Sequence, residues 1–469
     1  MNSTTTIATT APLLAARLDA TLAWRAGVPV SAAQFIADAR RLADRLPAEG
    51  QPINLCGDRY LFAVGLAAAL LRGQTSLMPP NSLPDTLARL RSAYPALYAL
   101  NDEPTLDVGA LERVQVERDH AAFTEASVTM PQIATDQIAV CLLTSGSTGL
   151  PQPHAKRWGP LVLNIGAEAE RLASFIGRPT LAGLNVLATV PPQHSYGFES
   201  SVLLALLGGA AFDSGPAFFP ADIAEALARL PRPRALVTTP FHLKTLMLSG
   251  VELPAVDLLL SATAPLSPQL AVQAERAFGG PLVEIYGCTE AGQVASRRTT
   301  AGDVWQTLGA LQIRAEAGAD GATETPTEQF IVHGGHVIEP TPLADVLELQ
   351  SPTRFRLFGR ANDLIHVAGK RSSLAHLNYH LNRIEGVHDG AFWLPDEVPE
   401  AVLRPIAFVV APGLTSAQIV KALRANLESV FVPRRVVHVD ALPREGTGKL
   451  TVQSLRRFAL ERLAESGPT

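Results

Sequence analysis

Three cysteines, Cys56, Cys141 and Cys288, are too few and too scattered for a disulfide framework, and no CxxC or Cys/His cluster offers a zinc site. A reducing cytoplasm is the expected compartment. An excess of one charge is missing as well. The 39 basic and 44 acidic residues leave a formal net charge of −5, which gives no electrostatic footprint for nucleic acid. The longest apolar runs, "LFAVGLAAALL" and "VLLALLGGAAF", are too short to span a bilayer. The opening "MNSTTTIATTAPLLAARLDATL" has neither the basic start nor the continuous apolar core of a signal peptide, and its Ser/Thr-rich beginning reads as disordered. What remains is globular composition, 47% hydrophobic and 18% charged. The chain is too long for one core, so a multi-domain enzyme is expected.

From about residue 130, short β-type runs alternate with amphipathic stretches, and each run ends in a small-residue or proline turn. "QIAVCLL" precedes a Gly-rich loop, "LNVLATV" precedes "PPQHSYG", "ALVTT" precedes "PFHLKTLMLSG", "VDLLLSA" precedes "TAPLSPQ", and "LVEI" precedes "YGCTEAG". That rhythm predicts a doubly wound parallel sheet whose ligands sit beyond the carboxyl ends of the strands. "AEAGADGATETPTE" reads as a solvated hairpin or loop. After "FRLFGRANDLIHVAGKRSS" the pattern becomes that of a small α+β unit, with a Ser/Thr-capped helix in "TSAQIVKALRANLESV" and a last helix after Thr451.

The loop Thr144, Ser145, Gly146, Ser147, Thr148, Gly149 has almost no side chain to bury, so its value lies in backbone N–H groups and hydroxyls that can close on a polyphosphate. It is not a Walker A loop, because Leu150 stands where that motif requires lysine.

This loop, followed by "PPQHSYG", "YGCTE", "LADVLEL", "FGRANDLIHVAGKR" and "PREGTGKL", resembles in order and spacing the adenylate-forming superfamily of acyl- and aryl-CoA synthetases, adenylation domains and luciferases. Six ordered motifs over most of the chain beyond residue 130 are far more specific than any one alone. Within the superfamily, "LAWRAGVPVSAAQFIADARRLADRL" and "CGDRYLFAVGLAAALLRGQTSLMPPN" are similar to the compact AMP-ligases of aryl-polyene and xanthomonadin pigment pathways. The resemblance implies an α/β protein with two parts. A large N-terminal domain (1–360) would hold doubly wound, mostly parallel sheets and a small β-rich subdomain, and a small mobile α+β C-terminal domain (361–469) would carry a catalytic lysine.

It also implies roles. Lys449 would offset charge at the α-phosphate, Thr289 would donate to that phosphate, and Glu290 would help hold Mg²⁺. Tyr286 would stack or pack on adenine, and Asp345 and Arg360 would hold the ribose hydroxyls. His194 and Tyr196 would close an acyl pocket walled by Thr239, His242, Ser261, Ala262 and Ala264, with Gly287 beside it. Asn362 would be the hinge. The chain departs from the pattern at Gln152, where a phosphate-binding lysine is usual unless Lys156 or His154 replaces it, at His366, and in the residues just after Gly369.

The expected reaction is ATP- and Mg²⁺-dependent ligation of a small aryl acid, hydroxybenzoate-like, to a thiol through an acyl-AMP. The thiol would be the phosphopantetheine of an acyl carrier protein arriving in trans, or coenzyme A. A ligase that stops at the adenylate, and a catalytically silent relative that binds a nucleotide or a partner protein, are the competing expectations.

Overall fold

The computed structural model describes residues 8–79, 81–117, 128–145, 151–317, 328–360, 364–367, 370–395, 404–445 and 450–465. Two large sheets organise the chain up to residue 360. The first has six strands, in the order Pro151–Arg157, Ile138–Ser145, Ser76–Met78, Gln51–Asn54, Leu97–Asn101 and Glu112–Gln115. It is parallel except for the antiparallel edge pair Ile138–Ser145 and Pro151–Arg157.

The second sheet has eleven strands. A parallel series runs Thr21–Arg25, Ala211–Asp213, Asn185–Ala188, Arg234–Thr238, Leu258–Ser261 and Leu282–Cys288. Antiparallel strands Gly292–Arg298, Val304–Thr307, Arg354–Arg360 and Asp345–Ser351 extend it on one side, and Val28–Ser31 pairs antiparallel with Thr21–Arg25 at the other edge. A separate three-stranded antiparallel sheet is built from Leu311–Ala317, Glu328–Gly334 and Val337–Leu343.

The five strand runs of the sequence rhythm do not share one sheet. Ile138–Ser145 belongs to the first, where it pairs parallel with Ser76–Met78, and its short connection to Pro151–Arg157 makes that next pair antiparallel, since a parallel crossover needs a dozen or more residues. The Ser/Thr-rich start was expected to be disordered, but its described part from Thr10 onward is a paired strand. Thr10–Pro12 pairs antiparallel with Gln132–Ala134, anchored by the burial of Ala11, Leu13 and Leu14.

The helix Arg59–Leu71 is apolar on every side and buried from Arg59 to Leu70, as a helix inside a core must be. Asp58 caps it by accepting from the Tyr60 and Leu61 amides at 2.8 and 3.0 Å. One continuous core joins this helix to Leu100, Val140 and Leu142 of the first sheet and to Val186, Leu260 and Val283 of the second.

Beyond residue 360, a hairpin of Leu364–Val367 and Lys370–Ser373 leads into a three-stranded sheet, Asp389–Trp393, Ile406–Val410 and Val436–His438. Helices Leu374–Asn382, Ser416–Arg424 and Val452–Glu465 accompany it. Thr415 and Gln418 form the capping box of the middle helix. The buried clusters of this region contain only residues after 360.

Arg59 ties the first sheet's helix to the second sheet. Its guanidinium is buried and donates to the carbonyls of Ala188 (3.1 Å) and Val190 (2.9 Å) and to Ser201 Oγ (2.9 Å). Burial pulls its pKa down to about 10. Arg59→Met leaves those acceptors unpaired in the core and is expected to cost about 3 kcal/mol, read as a lowered urea midpoint, with Arg59→Lys recovering part of the loss.

Candidate active site

Four strands of the second sheet, Asn185–Ala188, Arg234–Thr238, Leu258–Ser261 and Leu282–Cys288, are mutually parallel and in register, with Ala188 opposite Val237, Thr238 opposite Ser261 and Ser261 opposite Glu284. Their carboxyl ends therefore lie along one rim. Each continues into a stretch singled out in the sequence: "PPQHSYG", "TPFHL", "ATAPL" and the Thr289–Glu290 turn. This is where an open parallel sheet binds ligands.

The first three stretches build one wall. Gly197 sits so close to Pro191 that a Cβ would lie 2.1 Å from the Pro191 carbonyl oxygen, so only glycine permits the tight return of this loop. The chain then forms a π-helix, Phe198–Leu203, a form often found at functional sites. Thr189 Oγ1 is 2.9 Å from Thr238 Oγ1 and 3.0 Å from His242 Nδ1. Thr239 caps the helix Pro240–Leu248, its hydroxyl accepting from the His242 amide. The Ser261 hydroxyl is enclosed without a hydrogen-bond partner among the described residues, and the buried Tyr196 hydroxyl meets the Thr238 backbone. Ala262 is buried and Ala264 half-buried. Between them Thr263 holds φ at +78°, a conformation costly for a β-branched residue and characteristic of ligand sites.

The other side is built by the Leu282–Cys288 strand and its partners. Tyr286 donates from its hydroxyl to Asp345 Oδ2 at 2.7 Å, and its ring packs against Trp305 and Phe355. Asp345 and Arg360 are opposite one another in the antiparallel ladder. A Cβ on Gly287 would lie 2.3 Å from the Gly292 carbonyl oxygen, so the hairpin that presents Thr289 and Glu290 closes only with glycine there. The Glu290 carboxylate is half exposed, 4.0 Å from His154 Nε2, and Lys156 Nζ donates to the Glu290 carbonyl at 2.8 Å. His154 and Lys156 alternate with Gln152 along Pro151–Arg157, on one face of that strand.

A buried polar cluster adjoins this turn. Ser200 Oγ donates to Glu168 Oε1 and accepts from Gln293 Nε2, both at 2.8 Å. Burial raises the Glu168 pKa to about 8 against opposing hydrogen bonds from Ser200 and Gln293. Burial also raises Glu199, to about 6, while the Lys156 ammonium pulls it down. The role of Arg59 inside "CGDRYLFAV" was not legible in the sequence, nor was that of Glu168 or Gln293, because neither of these lies in a motif. Glu199 does, at the end of "PPQHSYGFE", and Lys156 is a lone cation in an otherwise uncharged strand face.

Gly146, Ser147, Thr148, Gly149, Asn362, Gly369 and Lys449 lie outside the described residues, and for Thr144, Ser145, Arg360 and His366 only the backbone is described. The remaining residues suit a magnesium nucleotide. No cluster of three or more metal-ligating side chains exists among the described residues, but Mg²⁺ is usually held by one or two carboxylates together with substrate phosphates, and Glu290 presents one at the rim. Among the described residues no helix is long and apolar enough to cross a membrane.

Comparison with known proteins agrees with this geometry. Residues 51–311 match the AMP-binding enzyme family, and residues 381–449 match the AMP-binding enzyme C-terminal domain. The 4-coumarate–CoA ligase of Rhodobacter capsulatus is 30% identical over 310 residues, covering 65% of this chain and 73% of that protein. That of Halorhodospira halophila is 31% identical over 317 residues, covering 66% and 73%. ATP-bound MatB from Rhodopseudomonas palustris has the same fold, with a TM-score of 0.76 at 20% identity over 94% of this chain and 96% of that one. The chain therefore belongs to the AMP-binding enzyme family. By class it is an AMP-forming acid–thiol ligase.

The raised Glu168 pKa has a signed consequence. Between its unfolded value near 4.5 and about 8, the folded state holds a proton that the unfolded state has lost, so stability falls as pH rises through that window. Glu168→Gln removes the dependence. Its stability relative to wild type is expected to climb from pH 5 to pH 8, by at most about 1.4 kcal/mol per unit, in denaturant titrations at each pH.

Proposed function

We propose that this ligase activates a small, hydroxybenzoate-like aryl acid with Mg-ATP and transfers it to the phosphopantetheine thiol of an acyl carrier protein. The observation that carries the choice of acid is the hydroxyl-rich wall. Thr189, Thr238 and His242 form a hydrogen-bonded chain, and the enclosed Ser261 hydroxyl beside it has its bonding capacity left over. A saturated acyl chain leaves such groups unpaired at a cost, whereas a ring hydroxyl satisfies them. The relatives point the same way: besides the 4-coumarate–CoA ligases, the 4-chlorobenzoate–CoA ligase of an Arthrobacter species is 24% identical over 406 residues. Their names favour coenzyme A as the acceptor, which is the second reading. The carrier-protein reading and a place in pigment synthesis rest on the resemblance to aryl-polyene ligases.

In the first step an oxygen of the acid's carboxylate bonds to the α-phosphorus as the bond to pyrophosphate breaks. His194 and Tyr196 close over the ring, with Thr239, His242, Ser261, Ala262, Ala264 and Gly287 around it. Thr289 donates to the α-phosphate, Glu290 contributes an oxygen to Mg²⁺, and Lys449 offsets the charge that builds on the phosphate. Residues 144–149 surround the terminal phosphates. Asp345 and Arg360 take the ribose hydroxyls, and Tyr286, held by Asp345, borders the adenine. In the second step the thiol sulfur attacks the acyl carbon and AMP leaves, after reorientation of the C-terminal domain (361–469) on the large one (1–360) about Asn362. Lys156 supplies the cation that position 152 lacks: it fixes the Glu290 turn from its carbonyl side, where glutamine at 152 carries no charge.

The test is pyrophosphate release from Mg-ATP with benzoic, hydroxybenzoic, cinnamic and fatty acids, each without thiol, with coenzyme A and with holo carrier protein. Release that depends on a hydroxyaryl acid, with that acid found by mass on the carrier, is the expected result. Preference for fatty acids overturns the substrate, and loading of coenzyme A alone overturns the acceptor. Lys156→Met is expected to weaken Mg-ATP binding about tenfold in calorimetry, with Gln152→Lys restoring part of it. Unchanged binding in Lys156→Met removes Lys156 from the nucleotide site.

A further inference from the structure

The helix Pro240–Leu248 has two working faces besides its buried one. Leu243 and Leu246 pack into the core of the second sheet. His242 faces the acyl wall through Thr189. Phe241 and Lys244, one turn apart, face the region beyond residue 360. Lys244 Nζ donates to the carbonyl of Val387 at 2.6 Å and lies 3.5 Å from that of Asn382. Asn382 ends the helix Leu374–Asn382, so the lysine meets carbonyls at a helix C-terminus, the end that attracts a cation. The Arg444 guanidinium lies 5.4 Å from the centre of the Phe241 ring, a cation–π distance. Arg444 is held in place by two bonds of 2.7 Å to Asp389, with both side chains mostly buried. The Asn382 side chain donates to the Asn378 and Gly390 carbonyls, so the corner that Lys244 grips is itself rigid.

We propose that Lys244 is a positioning residue: with Phe241 it docks the C-terminal domain, through the Asn382–Asp389 corner and Arg444, on the same helix turn that walls the acyl pocket. One turn then holds both the acid and, in this domain orientation, the domain that completes the site. The pocket half of this statement rests on the function proposed above, and the docking half does not. Burial with few countercharges also draws the Lys244 pKa down to about 8, Asp389 opposing and Arg444 adding to that shift. Asp389 and Arg444 are therefore the charged groups that face it.

Amide hydrogen exchange on the intact chain, without substrate, reads docking directly. In Lys244→Met, exchange at residues 382–391 and across 240–248 is expected to rise about tenfold to a hundredfold, the loss of charged hydrogen bonds to carbonyls. The amides of the Leu258–Ser261 strand should stay as in wild type, and Lys244→Arg should stay near wild type throughout. Arg444→Gln should loosen the same segments and carries the test if Lys244→Met fails to fold. With an acid that is turned over, Lys244→Met should lower kcat for thioester formation about tenfold and leave the acid KM unchanged. Exchange at 382–391 that matches wild type in Lys244→Met, or in Arg444→Gln should it stand in, overturns docking. A raised acid KM with unchanged kcat overturns the positioning role. If no acid supports pyrophosphate release but exchange rises, the docking stands and the function above falls.

Discussion

The register of four parallel strands is the constraint on which the rest of this molecule depends. Because Asn185–Ala188, Arg234–Thr238, Leu258–Ser261 and Leu282–Cys288 end together, segments separated by up to a hundred residues converge on one rim. No individual motif needs to be long. Each contributes two or three side chains at a point fixed by backbone hydrogen bonds, and a ladder of such bonds positions side chains more firmly than loops do. The glycines at 197 and 287 complete this arrangement, since each lets backbone approach backbone where the chain leaves the rim.

The sheet's strands and their order along the chain were legible because buried parallel strands read as short Val/Leu runs closed by turn residues. The sheet to which Ile138–Ser145 belongs was not, since periodicity carries no information about pairing partners. Likewise, residues such as Tyr286, Thr289 and Glu290 were singled out by the family resemblance of their motif, whereas Glu168 and Gln293 meet through Ser200 from positions far apart in sequence and have no local signature. Lys244 is of the same kind. On its helix it looks like an ordinary surface lysine, and its meaning appears only when Asn382 and Val387 come within reach.

Charge near the rim is balanced by burial as much as by pairing. The Glu199 carboxylate disfavours ionisation of Glu168, and Lys156 is the cation that favours ionisation of Glu199 itself. Such a cluster is costly to build, the more so because Glu168 Oε2 and Gln293 Oε1 have no hydrogen-bond partner among the described residues. Beside the Glu290 turn it sets an electrostatic background in which Glu168, Glu199, Ser200 and Gln293 are buried and Lys156 is half-buried.

The close packing of Gly197 against Pro191 limits how this scaffold can diversify. Position 197 admits no side chain, so the backbone path at that point cannot be changed by substituting that residue. Variation must instead come from the strand termini that face it, Thr189, Thr238 and Ser261, which can change size and polarity without disturbing the ladder. If the proposed acid site is right, a change of preferred acid would be written in hydroxyls and methyls at those strand ends, with the glycine turn as the frame around a changing interior.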